Sequence, residues 1–241
     1  QENEILKKII PYQIKVKIHL LWRVVYDIFK GYYFNIAKSK NSVNHFSNTL
    51  KIKQELKPNE AKKKNLLKAI KSIESIEIAP NEIFSFWRTV GNPSKKNGFV
   101  KSRSLINGKI EDSIGGGLCQ LSGLIYYISL SVKLEILERH NHSIDIYTDE
   151  TRFTPLGSDA TVAYGYKDLK IRNNLMCSIK FTFTMEENFL TINLMHSGVL
   201  EKNDVEFKEK TIDKNRIEIV TIVSQQVTNK SIYKRPVPQT V

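Results

Sequence analysis

The sequence predicts an α+β protein with an N-terminal helical arm, a mixed core around one cysteine-bearing helix packed on strands, and a C-terminal β extension. Three observations carry this. Apolar residues recur at helical spacing in three stretches of the first half, they alternate at period two in most of the second half, and turn-forming pairs cut that half into short strands. At 241 residues, with 41% hydrophobic and 10% aromatic side chains, the chain is long enough to bury a substantial core and too apolar for global disorder. The expected divisions are an arm over residues 1–57, a core over residues 58–176 and an extension over residues 177–241.

In the arm, Ile14, Ile18, Leu21, Val25, Ile28 and Tyr32 fall on one helical face with basic residues mostly off it. Lys15, Lys17, Arg23, Asp27 and Lys30 are too many charges for a membrane-crossing helix. The apolar face is expected to pack on its own domain. Contact with a membrane surface beside Trp22, Tyr32 and Tyr33 is the alternative. Asn59 is the expected cap of a helix reaching Ile76, with Leu66, Leu67, Ile70, Ile73 and Ile76 inward and Lys62, Lys63, Lys64 and Lys71 solvated. Residues 83–90 read as a strand, and Asn107-Gly108 as a two-residue turn between strands over residues 101–106 and 109–112.

The run Gly115-Gly116-Gly117-Leu118-Cys119-Gln120 places a cysteine where a glycine-rich loop enters a helix, whose face is Leu121, Leu124, Ile125, Ile128 and Val132. Free N–H groups and the positive end of the helix dipole favour a thiolate in that first turn. Residues 135–147 then read as a strand with Ile136, His140, His142, Ile144 and Ile146 on one face, and Asp159 opens another carrying Val162, Tyr164 and Tyr166. The order Cys, His, Asp supplies a nucleophile, a base and an orienting carboxylate. A buried inert cysteine, a hydrogen-bonded core histidine and a local Asx turn are the bland alternatives. Zinc held by Cys119, His140, His142 and Asp159 is a further competitor, but neither C-x-x-C nor H-E-x-x-H spacing accompanies it, so no metal and no cofactor is expected.

Beyond Asp159 the pattern is all β. Residues 179–184 and 189–194 form an expected hairpin about Glu186-Glu187-Asn188, and the tail with Ile217, Ile219 and Val223 adds edge strands. Of 37 basic residues only eight are arginine, and with no nucleic-acid signature the net charge of +12 points to an anionic membrane or envelope polymer rather than nucleic acid. Two cysteines make no disulfide framework, while pairing of Cys119 with Cys177 stays open. The chain starts at Gln1 and shows no signal peptide, so the expected location is cytoplasmic or membrane-associated, with a trimmed start left open.

Phe84-Ser85-Phe86-Trp87, Asn107-Gly108-Lys109, Gly115-Gly116-Gly117-Leu118-Cys119-Gln120, Glu138-Arg139 followed by His142, Asp159-Ala160-Thr161, and Asp168-Leu169-Lys170 follow one another over the span 84–174. On these motifs the span resembles the VanW family. It implies an accessory role in bacterial cell-envelope or peptidoglycan metabolism linked to glycopeptide resistance. Carried over position by position, it supports Cys119, His142 and Asp159 with the Gly115, Gly116 and Gly117 loop and Arg139, and it makes His140 a neighbour. The layout is also similar, by analogy, to papain-like, transglutaminase-like and NlpC/P60 hydrolases.

Two function classes follow. One is a Cys-His-Asp amide hydrolase or acyl transferase on peptidoglycan stem peptide or its precursors, with backbone donors near Gly117 to Gln120 as the oxyanion site. The other is a non-enzymatic module that holds an envelope fragment at the glycine-rich helix N-terminus, assisted by Arg139 or nearby lysines.

Overall fold

Residues 11–38, 46–57, 59–106, 109–145 and 154–235 are described by the computed structural model. Among them, antiparallel pairing builds four small sheets around a single buried helix, so the class is mixed α+β. That helix, Leu118–Ser131, follows the glycine loop and buries Leu118, Leu121, Leu124, Ile125, Tyr126 and Ile128, which wrap most of its circumference rather than one stripe. Such all-round burial marks a central helix. Its serines do not oppose this: Ser129 and Ser131 donate to the carbonyls of Ile125 and Ile128, and Ser122 donates to Ala160 at 2.6 Å.

In chain order we label the helices α1 (Tyr12–Phe29), α2 (Glu60–Ile73), α3 (Phe86–Val90) and α4 (Leu118–Ser131). The strands are β1 (Asn48–Glu55), β2 (Ile83–Ser85), β3 (Lys101–Ile106), β4 (Lys109–Ile114), β5 (Glu135–Glu138), β6 (Lys170–Arg172), β7 (Ile179–Met185), β8 (Phe189–His196), β9 (Val205–Asp213), β10 (Arg216–Val223) and β11 (Gln226–Lys234). β1, β8 and β7 form one sheet in that order, β2, β6 and β5 a second, and β11, β10 and β9 a third, while β3 pairs with β4. α4 packs on α2, β1 and β8.

Several elements match the sequence reading. Asn59 caps α2 by accepting the Lys62 N–H, and the hairpin of β7 and β8 pairs Phe181 with Leu194 and Phe183 with Ile192. β3 and β4 pair through Ile106 and Lys109, although Asn107-Gly108 itself lies outside the described residues. Within α2, Leu67 is exposed, because the buried stripe is Leu66, Ala69, Ile70 and Ile73 and residue 67 falls a hundred degrees off it. The helix ends at Ile73, and Ile76 is buried in the turn beyond.

Five further expectations are corrected. The strand read over residues 83–90 breaks after Ser85 into α3, because Ser85 Oγ accepts the Arg88 N–H and the Asp168 carboxylate accepts the Trp87 N–H at 3.0 Å, which satisfies the first helical donors. β5 stops at Glu138, so period two does not govern His140 and His142, and Ile146 lies outside the described residues. The strand expected from Asp159 is a turn instead. Gly165 has a φ of 85° and Ala163 bridges to Lys167, which sends Tyr164 against Trp87 but Tyr166 against Tyr12 and His19 of α1.

The fourth correction concerns α1, which packs by the face carrying Val16, Leu20, Arg23, Val24 and Asp27 and leaves the expected inward face exposed. Lys170 and Asp27 form an ion pair in which each side chain is only 3% exposed. Arg23 reaches Glu138 at 2.6 Å and Asp168 at 3.7 Å. A charge as buried as Lys170 demands a partner, and Asp27 supplies it, so this face of the helix is drawn inward. The tail differs too: Ile217, Ile219 and Val223 are buried on β10, the middle strand of a separate sheet, rather than on edges. Ser224 and Gln225, with φ of 47° and 67°, make the tight turn that sends β11 back toward α4.

Candidate functional site

The glycine loop is shaped by close approach. A side chain at Gly116 would bring its Cβ within 2.2 Å of the Ser102 carbonyl oxygen, and Gly117, at a φ of 98°, opens α4 from the left-handed region. Asn65, fully buried on α2, clamps the loop by donating to the carbonyls of Gly116 and Val100 and accepting the Val100 N–H. Cys119 is thereby fixed as the second residue of α4, partly buried and close to the 115–117 loop.

His142 and Asp159 come to this thiol from separate segments. His142 Nδ1 lies 2.7 Å from Asp159 Oδ2, and the His142 backbone N–H donates to the same oxygen at 2.7 Å. With Nδ1 engaged, Nε2 is the ring nitrogen left to interact with the Cys119 sulfur. The Cys119 sulfur also lies 3.6 Å from the Val162 carbonyl. Asp159 accepts two further bonds on Oδ1, from Arg139 at 2.9 Å and from the Tyr233 hydroxyl at 2.5 Å. Arg139 is itself locked: it donates to the carbonyls of Asp159 and Gly157, pairs with Ser231 Oγ and lies over the Tyr126 ring.

These contacts decide protonation. Burial pushes His142 down, but the hydrogen bond to Asp159 and the interactions with Cys119 outweigh it and raise the imidazole from 6.5 to about 10. Burial pushes Asp159 up, yet His142, Arg139 and Tyr233 together hold it at about 2. Burial and the adjacent Asp159 raise the Tyr233 phenol, which stays a neutral donor. At neutral pH the site therefore contains an imidazolium between a carboxylate and a sulfur.

The remaining expected residues separate. The Gly115, Gly116 and Gln120 N–H groups are occupied by Val100, Ser113 and Gly117 carbonyls, and the Gln120 side chain turns to the Glu55 carbonyl. Among the described residues, the N–H groups of Gly117 and Cys119 are the loop donors left open. Arg139 serves Asp159 rather than open space. His140 bonds Glu138 at 3.0 Å, away from the thiol. Cys119 and Cys177 are both free thiols, and Cys177 packs beside Gly198. No three His, Cys, Asp or Glu side chains converge as a metal site among the described residues.

Sequence reasoning missed Tyr233, Ser231, Asn65 and Lys62. Ser231 and Tyr233 alternate on one face of β11, a polar pair in a strand that the hydrophobic pattern alone treats as an edge. Asn65 was legible as an amide inside an apolar helical stripe. The Lys62 stem lies against Gly117, where a Cβ would come within 2.6 Å of it, and burial, then the nearby Lys57, lower its ammonium to about 8.

A thiol in the first turn of a buried helix, an imidazole and a carboxylate held by arginine and tyrosine define an α+β protein with a Cys-His-Asp constellation. Residues 61–195 match the family described as VanW like protein, more than half of the chain and inclusive of all three residues, and the chain belongs to that family. It is 34% identical over 123 residues to the vancomycin B-type resistance protein VanW of Enterococcus faecalis, covering 51% of this chain and 45% of that protein. It is 28% identical over 142 residues to the uncharacterized protein YoaR of Bacillus subtilis, covering 59% of this chain and 45% of that protein. The matched regions thus span less than half the length of either curated relative. No solved structure matches.

Proposed function

We propose that the chain acts in bacterial cell-envelope metabolism tied to glycopeptide resistance, as a cysteine-dependent amide hydrolase or acyl transferase on peptidoglycan stem peptide or its precursors. The observation that carries this reading is the chain of contacts from Asp159 to His142 at 2.7 Å and on to Cys119 at the start of α4. The relative named as a vancomycin resistance protein supplies the envelope context. The analogy with papain-like and NlpC/P60 hydrolases extends only to a helix-borne thiol beside an imidazole, since His142 follows the end of β5 and Asp159 lies outside the strands.

In this reaction the Cys119 sulfur attacks the amide carbonyl carbon and a C–S bond forms. The carbonyl oxygen takes the negative charge and is met by the open N–H groups of Gly117 and Cys119. His142, already protonated, gives its proton to the leaving amine as the C–N bond breaks. Water, or an acceptor amine, then attacks the thioester with His142 taking the proton, and the thiolate is restored. Asp159 fixes the imidazole, and Arg139 and Tyr233 fix Asp159 as positioning residues.

The second reading is a binding module, favoured by the 3.6 Å approach of the Cys119 sulfur to the Val162 carbonyl, an acceptor that suits an inert thiol. Lys62 and the open N–H groups would then hold a carboxylate. The pH dependence of alkylation separates the two, with Cys177 as internal reference. Cys119 of the wild type is expected to react at neutral pH about tenfold or more faster than in His142→Ala. Equal rates in both proteins, matching Cys177, would leave the binding module as the function.

A further inference from the structure

Helix α1 contradicts the ordinary rule of burial. Leu21, Trp22 and Phe29 are 65%, 68% and 87% exposed, and Ile14, Ile18 and Val25 accompany them on the side away from the core. Exposed apolar residues are normal singly, but a contiguous stripe on an otherwise anchored helix marks an interaction surface. The helix is not loosely attached. Its inward side is held by Asp27 on buried Lys170 and by Arg23 on Glu138, so the stripe cannot turn inward without breaking both contacts.

We propose that α1 is an interfacial helix that seats this protein on a lipid surface bearing anionic headgroups. Lys17 lies exposed on one flank of the stripe, and Lys30, also exposed, follows at its end. The one acidic residue of α1, Asp27, is buried against Lys170, so the helix itself sets no carboxylate beside Lys17 and the apolar stripe. That combination suits a helix lying in the headgroup region with lysines reaching phosphates and the Trp22 indole at the boundary. A second copy of the chain fits less well, because parallel pairing of two such helices sets Lys17 against the same lysine, and antiparallel pairing sets it against the partner's apolar residues near Val25, where its charge would lose water. No described helix is long and apolar enough to cross a membrane, so the contact is peripheral.

The docked surface and the thiol site share a support. Val16 packs on Gly165, and Arg23 binds Glu138, the residue before Arg139. Seating α1 on a bilayer therefore places Gly165 and Glu138 just behind the lipid-facing helix. The proposal itself stands on α1 alone and not on the chemistry of Cys119.

The test is flotation of the full chain with vesicles of phosphatidylglycerol and phosphatidylcholine, against phosphatidylcholine alone. Trp22 fluorescence reports insertion, since the other tryptophan, Trp87, is buried. Expected are binding to the anionic vesicles with a blue shift, about fivefold weaker binding in Lys17→Glu, and at least about tenfold weaker binding in the Leu21→Asp, Val25→Asp double variant. Both positions are exposed, so an unchanged melting temperature and unchanged Cys119 alkylation keep the readout specific. The absence of vesicle binding, binding that the double variant retains, or a dimer in solution that the double variant dissociates would each overturn the proposal.

Discussion

Two adjacent residues at the end of one strand, Glu138 and Arg139, organise two opposite networks. Glu138 faces α1, where it accepts from Arg23, from His140 and from the Asp168 N–H and lies 3.5 Å from Lys170. Arg139 faces the candidate site, where it binds Asp159, Ser231 and the Gly157 carbonyl. The key carboxylates are held equally low: burial raises both, but their hydrogen bonds and cations hold Glu138 at about 2 and Asp159 at about 2. Asp168, only 3% exposed and the deepest of the three, goes the other way: burial, with the neighbouring Glu138, raises it despite its bonds from Ser85 and the Trp87 N–H. Cationic partners hold Glu138 and Asp159 down, whereas Asp168 accepts from Ser85 and from the Trp87 and Leu169 N–H groups and has Arg23 only at 3.7 Å, and only around Asp159 is one of those partners also in contact with a thiol.

The largest expected effect breaks the second network. Asp159→Asn keeps the shape of the side chain but leaves Arg139 buried without its carboxylate and removes the acceptor that orients His142. Losing one partner of such a pair costs about 3–5 kcal/mol, readable as a lower urea midpoint at unchanged slope, and the Cys119 alkylation rate should fall to that of Cys177. A variant that loses stability while Cys119 keeps its reactivity would reduce the network to a structural device.

A smaller effect is expected from Asp27→Asn, which strikes the first network. Lys170 keeps Glu138 at 3.5 Å, so it is weakened rather than orphaned, and the cost should be about 1–3 kcal/mol. Hydrogen exchange should quicken across the Tyr12–Phe29 amides while Cys119 alkylation is unchanged. If alkylation also slows, the two networks are coupled through the Glu138-Arg139 peptide, and their separation by strand alternation fails.

The elements that could be read from the sequence were those set by local pattern. Asn59 at its cap, the β7–β8 hairpin and the apolar positions of α4 follow from periodicity and turn chemistry, which involve neighbours in the chain. Cys119, His142 and Asp159 could be nominated by residue type and order. What could not be read was each case in which a distant charge overrode periodicity. The apolar stripe of α1 predicts inward packing until Lys170 and Glu138 are known to wait for Asp27 and Arg23. Phe86-Trp87 looks like strand until Asp168, eighty residues on, supplies the cap. Tyr233 lies more than seventy residues from Asp159 in sequence, with no local signal linking them. His140 and His142 looked equivalent only because alternation was extended past the end of β5.

Those two histidines give the finest test. His140 is 38% exposed on its side chain and bonds Glu138, whereas His142 is 21% exposed between Asp159 and the sulfur. His140→Ala should cost less than about 1 kcal/mol, as for a partly exposed pair. His142 is held above its ordinary value, so its stabilisation is fully present below pH 6.5 and is lost as the pH rises through about 10. Asp159 works at the other end, its contribution present above 3.8 and lost as the pH falls through about 2. Lys62, lowered to about 8, carries the opposite sign, since its folded form favours the neutral amine and gains stability as the pH rises. It is common to the wild type and both variants and cancels in their differences. Melting temperatures between pH 5 and pH 11 should therefore show the gap between the wild type and His142→Ala narrowing as the pH rises from 6.5 toward about 10. A constant gap would mean that His142 is neutral in the fold, and with it the charged partner of the Cys119 sulfur would be gone.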